Sequence, residues 1–514
     1  MQVNHIISST PTTRASHNTG ASRMSRGFLA PLALLLICTV SCKKFLQENP
    51  KNVVSNTNYY TTQADAISAV NSIYAYLNST STGSTAGVYH SSFWVTAGLS
   101  SDEMLNQQLA SPDLDQLANF TYSSQNATLQ EIWTMHYKAI TIANIAIGRI
   151  PGISMDTALR SRLVGEARFL RGLLYFNLIR MYGHIPMVLL ETEPLTPTVA
   201  PTAAVYTQIL SDLAAAENVL PYSYPPGNGR GRATKGAAMA IEAKVFLTLQ
   251  QWQSAADKAM AVINSQQYAL WDNFADVFKL SSRGGKEAIF SVGFGDANGA
   301  ISFWEVGQFN VRLLPPDLSQ EGVQNAQGWQ VPTLQLYNSY DPQDNRRAVT
   351  FITQIRRQDG SVYTIRPYIQ KYWDTVAEPT GNGSANDFPV IRYADVLLMY
   401  AEASNELGHA ADAHTYINMV RKRARFNGTT YPAGAVPDYT GLNQADMRAA
   451  LINERRLEFV AEGQRWFDLV RTNTLAQLVP LAKPGVTPAA KNVLFPIPQS
   501  EIDLNKNLTQ NTGY

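Results

Sequence analysis

Three carboxylates stand at four-residue intervals near the C-terminus, in the stretch NERRLEFVAEGQRWFDLVR (453–471). Residues four apart on a helix share one face, so Glu454, Glu458 and Glu462 are predicted to lie side by side. A pair of carboxylates is what a glycosidase needs to cleave a glycosidic bond. Those two groups must flank the bond, however, whereas carboxylates one turn apart on a helix project in the same direction.

The same stretch also contains four arginines, which indicate a structural role. Like charges on one helix face repel one another unless each has a partner of opposite charge. We therefore predict a structural ion-pair network and no catalytic residue, with partners supplied from within the stretch by the arginines at 455, 456, 465 and 471. The predicted members of the network are Glu454, Arg455, Glu458, Glu462, Arg465 and Asp468.

Metal and nucleotide sites have no comparable signal in this sequence. The histidines are scattered, no His-Glu-x-x-His pair occurs, and there is no cysteine cluster. The glycine-rich stretches GNGRGR (227–232) and GFGDANG (293–299) lack the spacing of a dinucleotide or phosphate loop, and we interpret both as turns. The G-x-S-x-G nucleophile elbow is also missing. We therefore predict no metal and no cofactor.

Both cysteines of the 514-residue chain lie in one N-terminal segment, LLICTVSCKKFLQENP (35–50). The apolar run GFLAPLALLLIC (27–38) follows two arginines and is too short to span a bilayer, which is typical of a secretory signal peptide. Small residues then lead to Cys42, as in the lipobox of bacterial lipoproteins. We predict a signal peptide over 1–41, with Met24 as an alternative start, and a lipidated tether over 42–62.

The charge balance argues against a nucleic-acid partner. The whole chain carries a net charge of +1, and only 16% of its residues are charged. Residues 1–41 hold three arginines and no acidic residue, so the remainder has 38 basic against 40 acidic residues. A chain with so little net charge has no field that would recruit DNA, RNA or an anionic membrane surface.

Helical periodicity recurs along much of the chain and predicts a mainly α fold. In two places, AIEAKVFLTLQQWQSAADKAMAVI and LMYAEASNELGHAADAHTYINMV, a helix, a short turn and a second helix follow one another, with alanines on the facing sides. Such pairs are typical of tetratricopeptide repeats, which stack into a solenoid. The predicted helices are 64–79, 129–150, 158–183, 203–219, 233–250, 253–266, 392–408, 410–426 and 443–472.

Two long segments without periodicity, 80–128 and 267–390, interrupt the helices. They are rich in Gly, Ser, Asn, Asp and Pro, and they also contain tryptophans. Disordered segments avoid aromatic residues, so we predict folded, loop-rich insertions in one domain over 63–514. Short strands are predicted at 287–292 and 362–369. The tryptophans of the two insertions are Trp94, Trp271, Trp304, Trp329 and Trp373.

Several long motifs together resemble one protein family. The C-terminal half contains VIRYADVLLMYAEASNELG, INMVRKRA, NERRLEFVAEGQRWFDLVR and LFPIPQSEIDLNKNLTQNTGY, in that order. The N-terminal half contains Cys42 followed by FLQENP, then GEARFLRGLLYFNLIRMYGHIPMV and GRATKGAAMAIEAKVFL. These motifs resemble the SusD/RagB family of Bacteroidetes outer-membrane lipoproteins, and the resemblance covers essentially all of the chain after residue 41.

The resemblance implies a fold, a function, a location and a partner. Members of the family have a tetratricopeptide-like scaffold and bind oligosaccharides, or in some branches peptides, at the cell surface. They act as a lid on a SusC-like TonB-dependent transporter and are not known as enzymes. The resemblance thus implies a lipid-anchored, non-catalytic glycan receptor at the outer membrane. A peptide receptor and, less favoured, a glycosidase acting through the carboxylates at 454–462 are the alternatives.

The resemblance also implies where the ligand binds. In starch-binding relatives an arc of loop aromatics holds the sugar, and the corresponding segments here are YHSSFWVTAGLSSDEM (89–104) and ISFWEVGQFNVR (301–312). We expect aromatic side chains on an exposed loop face to stack on sugar rings, and nearby polar side chains to orient the hydroxyl groups. The aromatic candidates are Tyr89, Trp94, Trp304 and Phe309, and the polar candidates are Asp102, Asn106, Asn310 and Arg312.

Overall fold

The computed structural model describes residues 60–514, apart from 80–85, 109, 193, 226–228, 296–305, 324, 377–382 and 433. The predicted signal peptide over 1–41, Cys42 and all but the last three residues of the predicted tether therefore lie outside the described residues. Residues Tyr60–Tyr514 form one compact unit. None of the helices in the described part of the chain is long and apolar enough to cross a bilayer.

Helices make up most of the scaffold, and the predicted helical segments other than 443–472 are present with boundaries shifted by a few residues. The helices are α1 (Gln63–Asn78), α2 (Ser92–Leu99), α3 (Pro112–Asn119), α4 (Ala127–Arg149), α5 (Thr157–Tyr182), α6 (Thr202–Val219), α7 (Lys235–Thr248), α8 (Trp252–Asn264), α9 (Phe309–Leu313), α10 (Leu334–Asn338), α11 (Asn345–Thr350), α12 (Tyr393–Glu406), α13 (Ala410–Ala424), α14 (Gln444–Glu458), α15 (Arg465–Arg471), α16 (Leu475–Ala482) and α17 (Gln499–Leu504).

Consecutive helices pack in pairs, as the two helix–turn–helix patterns predict. Helix α5 packs on α6, α7 on α8, and α12 on α13. Small residues allow the close crossings: Ala255 and Ala259 of α8 are fully buried. A Cβ atom on Gly172 of α5 would lie 3.3 Å from the side chain of Leu213 in α6. The prediction of a mainly α, tetratricopeptide-like fold is therefore confirmed.

The helices begin where polar side chains cap their free N–H groups. Thr62 and Asp65 form a reciprocal capping box at the start of α1. The side chain of Asn126 caps α4, and that of Asp156 caps α5. These caps are short-range features, which explains why the sequence places the beginnings of these helices to within a few residues.

Short strands occur in the predicted insertions, but helices occur there as well. The strands are β1 (Met104–Asn106), β2 (Ala288–Val292), β3 (Gln330–Pro332), β4 (Phe351–Arg356), β5 (Val362–Ile369) and β6 (Phe388–Arg392). They form three antiparallel pairs, β1 with β3, β2 with β6, and β4 with β5. Strands β2 and β5 confirm the two predicted strands. The insertion over 80–128 also contains α2 and α3.

The single long helix predicted over 443–472 is wrong, because the chain turns sharply within it. Helix α14 ends at Glu458, and α15 begins at Arg465. Ala461 and Gly463 between them have positive φ angles of 59° and 67°. A Cβ atom at 463 would also approach the Cβ of Trp94 to 3.1 Å, so glycine suits this turn. Glu462 consequently belongs to the turn rather than to the helix.

Candidate functional site

The carboxylates of the C-terminal stretch are buried and ion-paired. Glu454 and Glu458 are fully buried on α14. The guanidinium of Arg346 donates to both, at 2.6 Å to Glu454 and 2.9 Å to Glu458. Arg421 pairs with the second oxygen of Glu454 at 2.7 Å, and Arg392 pairs with Glu458 at 2.5 Å. The carboxylate oxygens are thus occupied by cations inside the core.

Glu462 extends this network from the turn. It accepts from Arg392 at 2.8 Å and from Lys371 at 2.7 Å. Within the described residues, the connected network has as many carboxylates as cations, so it carries no net charge. Its carboxylates are Glu287, Asp344, Glu454, Glu458 and Glu462, and its cations are Arg346, Lys371, Arg392, Arg421 and Arg423.

The arginines expected to serve as partners pair with other carboxylates, so that part of the prediction is wrong. Arg455 pairs with Asp395 at 2.7 Å and with Asp468 at 2.8 Å. Arg465 pairs with Asp102 at 2.7 Å. For Arg455 the reason is the helical period, because a residue next to a glutamate points about 100° away from it around the helix axis. Arg465 lies beyond the turn, on α15. The helical period also points Arg456 away from the glutamates, and it pairs with Asp102. Arg471, on α15, pairs with Glu402 and Asp468.

The electrostatics of Glu458 indicate a permanent ion pair. Burial alone would raise the pKa of this carboxyl, but Arg423, Arg392 and Arg346 outweigh burial and lower its pKa to about 2. A carboxylate that is ionised, fully buried and saturated with donors has no free oxygen for a substrate. The geometry therefore supports a structural role for these glutamates.

Trp94 does not lie on an exposed loop face, contrary to expectation. It belongs to α2, where seven of the eight residues are buried, and it is itself fully buried. Its ring stacks on Phe309, with centroids 5.5 Å apart. The segment SFWVTAGL has too few polar residues to face water on any side, so the whole helix packs inside the core. Trp94 and Phe309 consequently link the two predicted loop segments through the core.

Three further candidates are structural as well. The hydroxyl of Tyr89, a buried residue, accepts a hydrogen bond from Asn177 at 2.8 Å. Asn310 is buried and exchanges two hydrogen bonds with the backbone of Asp374, at 2.9 Å and 3.0 Å. Asp102 is buried in its pairs with Arg465 and Arg456. None of these side chains presents a surface to a ligand in this structure. Trp304, the remaining aromatic candidate, lies outside the described residues.

The two predicted segments nevertheless make contact beside Trp329, which is one of the insertion tryptophans but not one of the four aromatic candidates. Strand β1, which ends at Asn106, pairs with β3, and the N–H of Gln107 donates to the carbonyl of Trp329 at 2.7 Å. From the other segment, the Arg312 guanidinium lies over the Trp329 ring, 4.9 Å from its centroid. It also donates to the hydroxyl of Ser91 at 3.2 Å. We call Ser91, Asn106, Arg312, Trp329 and Gln330 the Trp329 platform.

The platform combines a partly exposed aromatic ring with hydrogen-bond donors that lack acceptors. Among the described residues, Nε of Arg312 and Nε2 of Gln330 are buried without a partner. Gln330 is fully buried, so it supports the platform from below, and the side chains that a ligand meets are those of Arg312 and Trp329, which are partly exposed. Burial lowers the pKa of Arg312 to about 10, opposed by Glu131, so the guanidinium is charged at neutral pH. An aromatic plane beside such donors suits a ligand rich in oxygen atoms.

The sequence places Trp329 in a loop-rich insertion, but residue types alone do not distinguish it from the other tryptophans there. This residue is one of five tryptophans in the two insertions, flanked by glycine and glutamine in QGWQ. What distinguishes it is its contact with residues more than 200 positions earlier, through Gln107. No local pattern in the sequence indicates such a contact.

A metal centre has no comparable support, because the described residues contain no group of three or more His, Cys, Asp or Glu side chains placed to hold an ion.

Fold and site together define a tetratricopeptide-like helical scaffold with a surface-exposed candidate site. Two family models match the chain, one described as the SusD family over residues 337–514 and one described as starch-binding associating with outer membrane over residues 44–247. SusD-like protein P2 of Formosa agariphila is 30% identical over 516 residues, which is 94% of this chain and 98% of that protein. The chain belongs to the SusD/RagB family.

Other relatives and solved structures agree with this assignment. The starch-binding protein SusD of Bacteroides thetaiotaomicron is 24% identical over 508 residues, covering 84% of this chain and 86% of that protein. A laminarin-binding SusD-like protein superposes with a TM-score of 0.74 and 25% identity, over 88% of this chain and 100% of that one. Surface glycan-binding protein A of B. thetaiotaomicron, in complex with laminarihexaose, has a TM-score of 0.75 at 22% identity, over 88% of this chain and 100% of that one.

Proposed function

We propose that this protein binds an oligosaccharide at the Trp329 platform and delivers it to a SusC-like TonB-dependent transporter without cleaving it. The observation that carries the proposal is that Arg312, from the second predicted segment, lies over the partly exposed ring of Trp329, 4.9 Å from its centroid, and also donates to Ser91 of the first predicted segment. Membership of a family whose models describe starch binding and association with the outer membrane supports the proposal.

The chemistry of the platform suits a neutral glycan. Sugar rings have apolar C–H faces bordered by hydroxyl groups. A tryptophan plane covers such a face, while guanidinium and amide N–H groups donate to the hydroxyl oxygens. The near-zero net charge of the chain after residue 41 is compatible with an uncharged ligand. Because relatives bind starch and laminarin, maltohexaose and laminarihexaose are the first glycans to test.

Replacing Trp329 with alanine is expected to weaken glycan binding by about 2 kcal/mol or more, the usual threshold for an anchor residue. That loss corresponds to roughly a thirtyfold rise in Kd. Isothermal titration calorimetry with the two hexasaccharides measures it directly. Stability should change little, because Trp329 is partly exposed.

The matched control is Trp252→Ala. Trp252 begins α8, is partly exposed like Trp329, and is not a member of the platform. The Trp252→Ala variant should retain wild-type affinity. Equal affinity in the two variants would remove Trp329 from the site. Binding of peptides and of no glycan would favour the peptide alternative over the function proposed here.

Lipid attachment at Cys42 is the proposed means of holding the protein at the outer membrane, facing the cell exterior. One acyl chain gives only marginal membrane binding, and stable anchoring needs two or more, which a lipidated cysteine supplies. Cys42→Ala should therefore move the protein to the soluble fraction in a strain that lacks the transporter. Cys38→Ala, within the predicted signal peptide, should leave the protein in the membrane. Continued sedimentation of Cys42→Ala with outer membranes would contradict lipid anchoring.

A further inference from the structure

An open cavity of about 850 Å³ lies between helix α1 and the loop that carries Arg230 and Arg232. Strand β2 contributes Ser291 to its lining. The volume falls within the range of roughly 300–1,000 Å³ that small-molecule sites occupy. The described residues that line it include no member of the Trp329 platform, so the cavity is a separate place on the surface.

The face of α1 that lines this cavity is polar but uncharged. The exposed face of a surface helix ordinarily carries charged residues. The only charged residue of α1, however, is Asp65, which belongs to the N-terminal capping box. This face therefore offers hydroxyl and amide groups and attracts neither sign of charge. The polar residues recur at helical spacing and are Ser68, Asn71, Ser72 and Asn78.

Several polar groups in the cavity have hydrogen-bonding capacity to spare. Ser291 is only 8% exposed, lines the cavity, and has no side-chain hydrogen bond with any described residue. The side-chain oxygen of Asn71 accepts from Arg232 at 2.7 Å, and its amide hydrogens have no acceptor among the described residues. The amide nitrogen of Asn78 donates to the carbonyl of Gly293 at 3.0 Å, and within the described part of the chain its side-chain oxygen has no donor. The walls thus present oriented donors and acceptors.

The two arginines beside the cavity are already neutralised. Arg230 donates to Asp387 through both Nε, at 3.1 Å, and Nη2. Arg232 pairs with Glu166 at 2.7 Å. An anionic ligand would have to displace these carboxylates, and a cation would meet the arginines. A neutral ligand with many hydroxyl groups meets neither obstacle.

A neighbouring cavity of about 440 Å³ extends the site beyond the loop. Both cavities are lined by Arg230, Arg232 and Ser291, so they adjoin on either side of the loop. The smaller one adds the rings of Tyr222, which is 39% exposed, and Tyr224. Aromatic faces beside polar walls suit the alternating C–H and hydroxyl surfaces of a sugar chain. We call the two cavities together the α1–β2 groove.

We propose that the α1–β2 groove is a second binding site for a neutral glycan chain, separate from the Trp329 platform. Its ligand class rests on the proposed function, whereas its location rests on the cavity and its unpaired polar groups. The consequence is that one protein holds two short oligosaccharides, one at each site. A longer polysaccharide that reaches both sites gains affinity by multivalency.

Calorimetry on the full mature protein with laminarihexaose and maltohexaose tests this proposal. The wild type should bind two equivalents of the hexasaccharide that it recognises. Ser72→Trp, which fills the cavity with an indole ring, should bind one equivalent, and so should Trp329→Ala. The control Ala64→Trp, on an exposed position of α1 outside the cavity, should still bind two. Asn71→Ala, which removes an amide without adding bulk, should weaken the groove site at least threefold.

The possible results separate the two proposals. The wild type could instead bind one equivalent. If Trp329→Ala abolishes this binding and both Ser72→Trp and Asn71→Ala leave it unchanged, the groove site is overturned and the platform stays in place. If the wild type binds one equivalent, and Ser72→Trp abolishes this binding while Trp329→Ala leaves it unchanged, the groove site is supported and the platform is overturned. Binding of neither hexasaccharide to the wild type overturns both. Circular dichroism of each variant verifies that the compared proteins are folded.

Discussion

Replacing Glu458 with alanine is expected to lower the free energy of unfolding by about 3–5 kcal/mol, the cost of breaking a buried ion pair from one side. Glu458 is fully buried and accepts from Arg346, Arg392 and Arg423. Its removal leaves an excess of positive charge in a network that is otherwise balanced. Urea-induced unfolding followed by circular dichroism measures the loss.

The control for this variant is Glu406→Ala. Glu406 makes a bidentate pair with Arg448, at 2.6 Å for each bond, but that arginine side chain is 49% exposed. The Glu406 side chain is 11% exposed, but its partner is open to water, so the loss should be clearly smaller than for Glu458→Ala. Glycan affinity of the folded protein should not change in either variant. Unaltered unfolding together with lost binding or turnover of a glycan would instead place Glu458 in a functional site.

The same carboxylate gives the protein an acid-sensitive component of stability. Its pKa in the folded protein, about 2, lies below its ordinary value of 4.5. The contribution of Glu458 is therefore fully present above about pH 4.5 and is lost as the pH falls from there toward 2. Glu458→Gln removes this component, so the stability difference between the wild type and the variant should narrow over that pH range.

Trp94→Ala is expected to destabilise the protein by about 3–5 kcal/mol, as large-to-small substitutions at buried aromatics do. The fully buried ring stacks on Phe309, and the glycine at 463 packs against its Cβ. Removing it opens a cavity where α2, α9 and the turn after α14 meet. Urea unfolding of the variant measures the effect.

Trp94→Phe provides the comparison, because it keeps an aromatic ring in place and should lose less stability than the alanine variant. Trp329→Ala, at a partly exposed position, should lose less again. Folded Trp94→Ala should bind glycan as the wild type does. Unchanged stability with a tenfold or greater loss of affinity would restore Trp94 to the binding site and contradict its burial.

The sequence by itself determined the features that depend on neighbouring residues. The periodicity over 129–150 and 158–183 predicted α4 and α5 to within two residues at either end. The alanine-rich pairs predicted how α7 meets α8, because small side chains at helical spacing require a close partner. The ordered motifs of the C-terminal half were sufficient to identify the family. The helix and helix-pair signals are each contained in a segment no longer than one helix pair, and each family motif is a single continuous stretch.

Only the tertiary structure decided which aromatic residues reach the surface. Trp94 and Trp329 both lie in segments without helical periodicity, and their residue types are the same. The first is buried because α2 is apolar on every side and packs in the core. The second lies just before the buried strand β3, where the N–H of Gln107 holds its carbonyl and its side chain is only partly covered.

In the ion-pair network, too, the sequence predicted one part and the tertiary structure decided the other. The equal spacing of three glutamates, together with four arginines in the same stretch, predicted a structural ion-pair network, because like charges on one face demand partners. The identity of those partners was not available locally, since Arg346 lies 108 residues from Glu454 along the chain. Side chains adjacent in sequence point to different sides of a helix, so a buried charge takes its partner from whichever segment packs against its own face. The packing of distant elements therefore determines the partner of each buried charge, and no single stretch of the sequence contains that information.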